Sequence, residues 1–300
     1  MIAHAHDHAP GAFDRAFAIG VGLNLTFVVV EVVYGLRAHS LALVADAGHN
    51  FSDVLGLVLA WGAGVLARRR PTPRRTYGMR RSSVLAALAN AVLLLIAIGA
   101  IAWEAVRRLA DPMPVEAGTV MWVAAVGIVI NTATALLFMS GRKGDLNIKG
   151  AFLHMAADAG VSAGVVAAGL AIRATGWVWL DPTISLAIMV VIFVGTWGLL
   201  RDSTNLALDA VPEGIDEQGV TSYLRAVAGV TEVHDLHIWG MSTTEVALTA
   251  HLVRPDGQSD DALLARISRE LHDQFGIEHA TLQVEHGRGP ECNLAPAHVV

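Results

Sequence analysis

Charge is scarce in this 300-residue sequence, where Asp, Glu, Lys and Arg together make up 16%. A soluble domain carries roughly 25% charged residues, so most of this chain avoids water. Cysteine is scarcer still: Cys292, near the C-terminal end, stands alone. One cysteine excludes a disulfide framework and a cysteine metal cluster, which leaves His and carboxylates as the expected ligands of any metal. Nucleotide motifs are missing too, both the Gly-x-x-x-x-Gly-Lys-Ser/Thr run and an Asp-Lys-Thr-Gly phosphorylation sequence. Work done by the chain must therefore draw on ion gradients. No basic stretch precedes the first apolar run, so the N-terminus is not expected to be a cleaved leader. No organic cofactor and no nucleic-acid partner are expected.

What fills the sequence instead is hydrophobic residues, 54% of the total. A membrane-spanning helix needs about 20 mostly apolar residues. Six stretches qualify: Ala16–Leu36, Leu41–Leu66, Ser82–Trp103, Ala117–Met139, Gly150–Ile172 and Pro182–Leu200. Lys and Arg in short loops set the orientation. Arg68, Arg69, Arg70, Arg74, Arg75, Arg80 and Arg81 follow the second stretch, and Arg142, Lys143 and Lys149 follow the fourth. The opposite side offers Arg37, Arg107, Arg108 and Arg173. The richer side reads as cytoplasmic, and both termini with it. The expected location is a bacterial cytoplasmic membrane, with lipid as the surrounding partner. The predicted organisation is a His-containing tail over 1–12, a six-helix transmembrane domain over 13–209, a cytoplasmic domain over 210–288, and a tail over 289–300.

Ionisable residues inside spans are costly and usually functional. The second span carries Asp46, His49, Asn50 and Asp53, and the fifth carries His154 and Asp158. His49 and Asp53 share a helix face at a spacing of four; His154 and Asp158 repeat it. The second and fifth spans run antiparallel, which sets His49 level with Asp158 and Asp53 level with His154. Small residues such as Gly48, Gly56, Ala157 and Gly160 let the two helices approach closely. Two imidazoles and two carboxylates make a four-ligand set that fits tetrahedral Zn²⁺ or Co²⁺ better than Mg²⁺ or Ca²⁺. A buried network that only joins helices, and a proton pathway, are competing readings of the same groups. Asp46 reads as a supporting or entry-path residue. Asn24, Glu31, Asn90 and Asn131 read as glue between helices or cavity lining.

The C-terminal domain is predicted as helix, strand, strand, helix, strand. Gly214–Val227 is amphipathic, Thr231–Trp239 and Glu245–Val253 are strand-like, Leu263 to Phe275 follow helical spacing with Gly276 as the stop, and Ala280–His286 is the last strand. His4, His6 and His8 form an alternating run on the N-terminal tail that could gather metal.

Ala45-Asp46-Ala47-Gly48-His49-Asn50-Phe51-Ser52-Asp53 and His154-Met155-Ala156-Ala157-Asp158 resemble the second- and fifth-helix motifs of the cation diffusion facilitator family. The likeness covers nearly the whole chain. It implies a metal/proton antiporter, not an enzyme, that works by alternating access as a homodimer. A His-Asp second helix implies zinc as substrate, with Co²⁺ or Cd²⁺ as further cargo. It also implies a ferredoxin-like cytoplasmic domain that dimerises and senses metal, with Zn²⁺ there as a regulatory ligand. His234 and His251 match family metal positions. Gln283 and Glu285 stand where some members have His and Asp, so Glu285 or His286 is expected to complete that site. Arg81 and Asp209 match a basic–acidic pair that anchors helices. The second-to-third loop, with no His or carboxylate over 68–75, departs from members with a further metal site there, and the short His-free fourth-to-fifth loop departs from members with a long His-rich one. Two other classes stay open from the residues: a membrane-anchored metal sensor, and an intramembrane metallohydrolase, although His49 lacks the neighbouring Glu of a His-Glu-x-x-His site.

The energetics favour coupling. Moving one charge against 100 mV costs about 2.3 kcal/mol, so exporting Zn²⁺ from a negative interior costs about 4.6 kcal/mol before any concentration term. Inward protons would offset this. A His must be neutral to bind metal, so metal arrival displaces protons.

Overall fold

The computed structural model describes residues 10–67, 69–138, 146–255, 261–286 and 292. Six long helices come first: α1 (Pro10–Arg37), α2 (Leu41–Ala67), α3 (Ser82–Ala110), α4 (Ala117–Phe138), α5 (Leu146–Thr175) and α6 (Leu180–Ala207). A smaller region follows with α7 (Glu217–Ala226), β1 (Glu232–Gly240), β2 (Val246–Val253), α8 (Asp261–Phe275) and β3 (His279–Glu285). The chain groups into two compact units. One is Met1–Val58 with Asn90–Trp197, and the other is Leu59–Ala89 with Gly198–Val300.

Four helical stretches among the described residues are long and apolar enough to cross a membrane: Ser82–Ala110, Ala117–Leu136, Met155–Thr175 and Leu180–Ala207. Their apolar side chains point outward in numbers no water-facing helix tolerates. Ile96, Trp122, Val190, Val191 and Val194 are all more than 60% exposed, the pattern of surfaces meant for lipid rather than water. The third helix runs seven residues past the predicted Trp103, as far as Ala110.

Small residues set the packing inside the first unit. A Cβ on Gly127 of α4 would come within 2.8 Å of the Phe27 ring on α1, and one on Gly169 of α5 within 2.7 Å of Met121 on α4. Both glycines are thus close-approach points between helices. The buried core of this unit is rich in alanine, including Ala38, Ala42, Ala45 and Ala124. The start of α2 is fixed from a distance in sequence. His39 takes φ 55° to turn the chain, Ser40 Oγ accepts from the Leu43 amide at 3.2 Å, and the buried Asp181 carboxylate accepts from the Leu41 amide at 2.6 Å. A carboxylate at exposed N–H groups of a helix start satisfies donors that have no partner within the helix.

The second unit contains a three-stranded sheet in the order β1-β2-β3, with β1–β2 antiparallel and β2–β3 parallel. Alternation along β2 divides its side chains between two faces. Leu248, Ala250 and Leu252 join Val220 and Leu224 of α7 and Ile267 and Leu271 of α8 in one core. His251 and Thr249 face the other way. The Asp216 carboxylate accepts from the Gly219 amide and caps α7, and Gly276 at φ 66° ends α8. The five elements appear in the predicted order, each within about three residues of its expected start and end.

Two candidate metal centres

Helix spacing builds the first centre. His49 and Asp53 lie one turn apart on α2, and Asp158 projects from α5. His49 Nε2 sits 3.1 Å from Asp158 Oδ1 and 3.9 Å from Asp53 Oδ2. One ligand atom from each of the three falls within 4.8 Å of the other two. Donors about 2.0–2.2 Å from a tetrahedral ion lie roughly 3.3–3.6 Å apart, so a shift of about an ångström would close these three around one. Asp158 is buried while His49 and Asp53 are partly open, which leaves one side of the cluster approachable. His154 falls on α5, with its side chain outside the described residues. His4, His6 and His8 lie outside the described residues.

A polar layer backs this cluster. The Asn50 side-chain amide donates to Glu31 Oε2 at 2.9 Å, and Ser162 Oγ donates to Asp46 Oδ2 at 3.1 Å. Glu31 and Asp46 are both fully buried.

Strand pairing builds the second centre. His234 on β1 lies directly opposite His251 on β2, and His251 opposite Gln283 on β3. Glu285 follows two residues after Gln283 and so shares that face. His251 Nδ1 is 3.0 Å from Glu285 Oε1, and His234 Nε2 is 3.6 Å from Glu285 Oε2. Cys292 completes the group, with Sγ 3.5 Å from His251 Nδ1. His234, His251, Glu285 and Cys292 each offer a ligand atom within 4.8 Å of the others.

Two expectations are corrected here. Metal ligands were expected to be His and carboxylate only, yet Cys292 stands in this cluster. His286 is not part of the cluster. It is exposed, and its Nδ1 lies 3.3 Å from the Arg254 carbonyl. Alternation explains the difference: the residue after Glu285 leaves the face that Glu285 occupies. Gln283 lies beside the cluster and its side-chain amide donates to Glu285 Oε1 at 3.0 Å.

Burial alone would raise the Glu285 carboxyl. Hydrogen bonds from Cys292 and Gln283, with His234 and His251 beside it, outweigh that and hold it below the usual carboxylate range. Asp235 is a further participant that spacing did not reveal. A bulge between His234 and His237 puts Asp235 at φ 50°. From there its carboxylate lies 3.4 Å from His251 Nε2 and 2.9 Å from His237 Nε2. A ligating His whose other nitrogen meets a carboxylate is held in orientation and tautomer.

The loop before α3 meets the sheet region through named pairs. Arg81 ion-pairs with Asp209, and Arg80 with Glu245 at 2.6 Å. Ser83 Oγ accepts from the Thr243 amide at 3.1 Å, and the Tyr77 and His279 rings meet edge-on at 5.9 Å.

Comparison with known proteins bears on both centres. Residues 17–206 match the cation efflux transmembrane domain, and residues 212–287 match the cation efflux protein cytoplasmic domain. The chain is 38% identical to the cation efflux system protein CzcD of Alcaligenes sp. (strain CT14), over 94% of this chain and 89% of that protein. It is 36% identical to the zinc transporter ZitB of Escherichia coli (strain K12), over 98% and 96%. It is 32% identical to the cadmium, cobalt and zinc/H(+)-K(+) antiporter of Bacillus subtilis (strain 168), over 93% and 91%. These matches span both units, and they make the apolar helices those of an integral membrane transporter rather than an enzyme. The chain belongs to the cation efflux family, with a transmembrane domain followed by the family's cytoplasmic domain.

Proposed function

We propose that this transporter exports Zn²⁺ from the cytoplasm in exchange for protons, by alternating access in a homodimer. The observation that carries the reading is the approach of His49 on α2 to Asp158 on α5 at 3.1 Å, with Asp53 in the same cluster. His154, one turn before Asp158 on α5, supplies the fourth donor. Two imidazoles and two carboxylates suit Zn²⁺ and admit Co²⁺ or Cd²⁺ as further cargo. The zinc transporter ZitB and the B. subtilis cadmium, cobalt and zinc/H(+)-K(+) antiporter support the same cargo and the coupling to protons.

All six long helices serve as spans in this reading. The shortest, α4, has 22 residues, about 33 Å at 1.5 Å per residue, against a hydrocarbon core of about 30 Å. The Arg-rich loop between α2 and α3 lies on the cytoplasmic side, as do both termini. The C-terminal domain is ferredoxin-like; its helix–strand–strand–helix–strand order and its pairing of one antiparallel and one parallel neighbour support this. It joins the two subunits. Arg81 and Asp209 lock the start of α3 to the chain just after α6.

The second centre is a resident zinc site. His234 supports the fit: its ring is buried, and neither ring nitrogen has a hydrogen-bond partner, a costly arrangement that ligation would relieve. His234, His251, Glu285 and Cys292 would hold the ion, which would cross-link the three strands and the tail. Thiolate and imidazole donors suit Zn²⁺.

Zinc uptake into proteoliposomes by wild type and Asp158→Ala tests the transport site. Saturable uptake by wild type and its loss in the variant are expected; equal uptake by the two would overturn the four-ligand site.

A further inference from the structure

Glu31 and Asp46 form a buried pair of acids for which metal ligation gives no role. Both side chains are fully buried. Each has one oxygen satisfied: Asn50 donates to Glu31 Oε2, and Ser162 to Asp46 Oδ2. Each also has one buried oxygen with no hydrogen-bond partner, Glu31 Oε1 and Asp46 Oδ1. Two ionised carboxylates can only accept, so neither can satisfy the other. A single proton changes this, because one carboxyl then donates to its neighbour. The two groups interact directly.

Among the described residues, the charged neighbours of the pair are acids and one histidine. The charged groups acting on Glu31 are Asp46 and Asp158. Those acting on Asp46 include His49 on its own helix and Asp158 on α5. Asp53 is the remaining acid of the cluster on α2, and α4, which packs on α1, carries no charged residue along its length. Among the described residues, the one base in this set is His49, already engaged with Asp158. Two negative charges side by side in a membrane interior without a counter-ion are prohibitive.

We propose that Glu31 and Asp46 share one proton and form a proton-carrying station behind the metal ligands, with Glu31 as the group that gives it up. The station is coupled to metal through charge and through one hydrogen bond. A divalent ion held by His49 and Asp158 stabilises the ionised pair, and the Glu31 O–H bond breaks. The proton leaves to water on the side from which the metal came. After release of the metal on the other side, a proton from that side restores the pair. Asn50, next to His49 in the chain, ties Glu31 to the metal site. This rests on the reading of the chain as a proton-coupled exporter.

The test uses the full-length protein with Zn²⁺ as the ion. Proteoliposomes containing a pH-sensitive dye report protons moved per zinc. Glu31→Gln keeps the Asn50 contact but cannot ionise. It is expected still to bind zinc, with an affinity less dependent on pH than that of wild type, and to move about one proton fewer per zinc. Infrared difference spectra of wild type are expected to show loss of a protonated carboxylic C=O band on zinc binding, absent from Glu31→Gln. That spectrum decides the matter on wild type even if the variant does not fold: no band lost on zinc binding overturns the proposal. So does an unchanged proton count in a variant that binds zinc. If wild type moves zinc without moving protons, the exporter reading and this proposal fall together; if wild type exchanges the two and only the Glu31 results disagree, the proposal falls alone.

Discussion

The two candidate metal clusters have related donor sets and different architectures. In the membrane unit, His49, Asp53 and Asp158 come from two helices, with positions fixed by a spacing of four. In the sheet unit, His234, His251, Glu285 and Cys292 come from three strands and a tail. The first cluster is open on one side and backed by acids that share its low-dielectric surroundings. The second is lined by a buried imidazole and a carboxylate held ionised by its neighbours. An ion that must pass through needs ligands that give way to protons. An ion that stays needs a closed set including a soft thiolate. On the proposed reading, the same residue types serve opposite ends according to the frame that carries them.

Removing one ligand from each cluster breaks this comparison with the largest effect. Asp158→Ala should abolish zinc flux, while His251→Ala should leave flux intact when zinc is saturating and abolish only the metal-dependent stabilisation of the C-terminal domain. Parallel uptake assays and thermal melts with and without zinc measure both. If His251→Ala stopped transport at saturating zinc, the second cluster would belong to the pathway.

Next in size is Cys292→Ser. Cobalt bound through a thiolate has an intense near-ultraviolet charge-transfer band, and the serine variant should lose that band and much of its affinity. Absence of the band from the wild-type protein would mean that the thiolate is not a ligand. Asp235→Asn is expected to act through His251 rather than directly, weakening zinc at this cluster by about tenfold to a hundredfold with the cobalt spectrum keeping its form. A changed spectrum would instead make Asp235 a ligand.

The order of these effects follows how far each residue could be read from sequence. A helix has one period, so His49 to Asp53 is a geometric statement as soon as the helix is recognised, and the antiparallel course of α2 and α5 sets His49 against Asp158. Strands alternate as reliably, which is why His234, His251 and Glu285 were legible as one face and why His286 could have been rejected on the same ground. A bulge is not periodic. Asp235 reaches His251 only because the chain takes φ 50° there, and nothing in Val233-His234-Asp235-Leu236-His237 announces that. Cys292 lies beyond the last strand, where spacing has no meaning. Glu31 and Asp46 were legible as polar residues in apolar helices, but their pairing depends on how α1 meets α2, which neither helix encodes alone.

The smallest expected effect belongs to Arg81 and Asp209. Their side chains are 47% and 55% exposed, and pairs of that kind contribute about 0–1 kcal/mol because water screens them. Asp209 also sits at φ 59°, which suits Gly better than Asp. Asp209→Gly loses the ion pair but relieves the backbone, whereas Asp209→Ala loses the pair and keeps the strain. The alanine variant should therefore be the less stable of the two, and Arg81→Ala, which also loses the pair and leaves residue 209 strained, should resemble the alanine variant more closely. A double-mutant cycle across Arg81 and Asp209, read by thermal melts of the detergent-solubilised protein, isolates the pair itself. A coupling within about 1 kcal/mol fits two half-exposed charges. A larger one would mean that water is kept from the pair in the working transporter, as a true lock between α3 and the end of α6 requires.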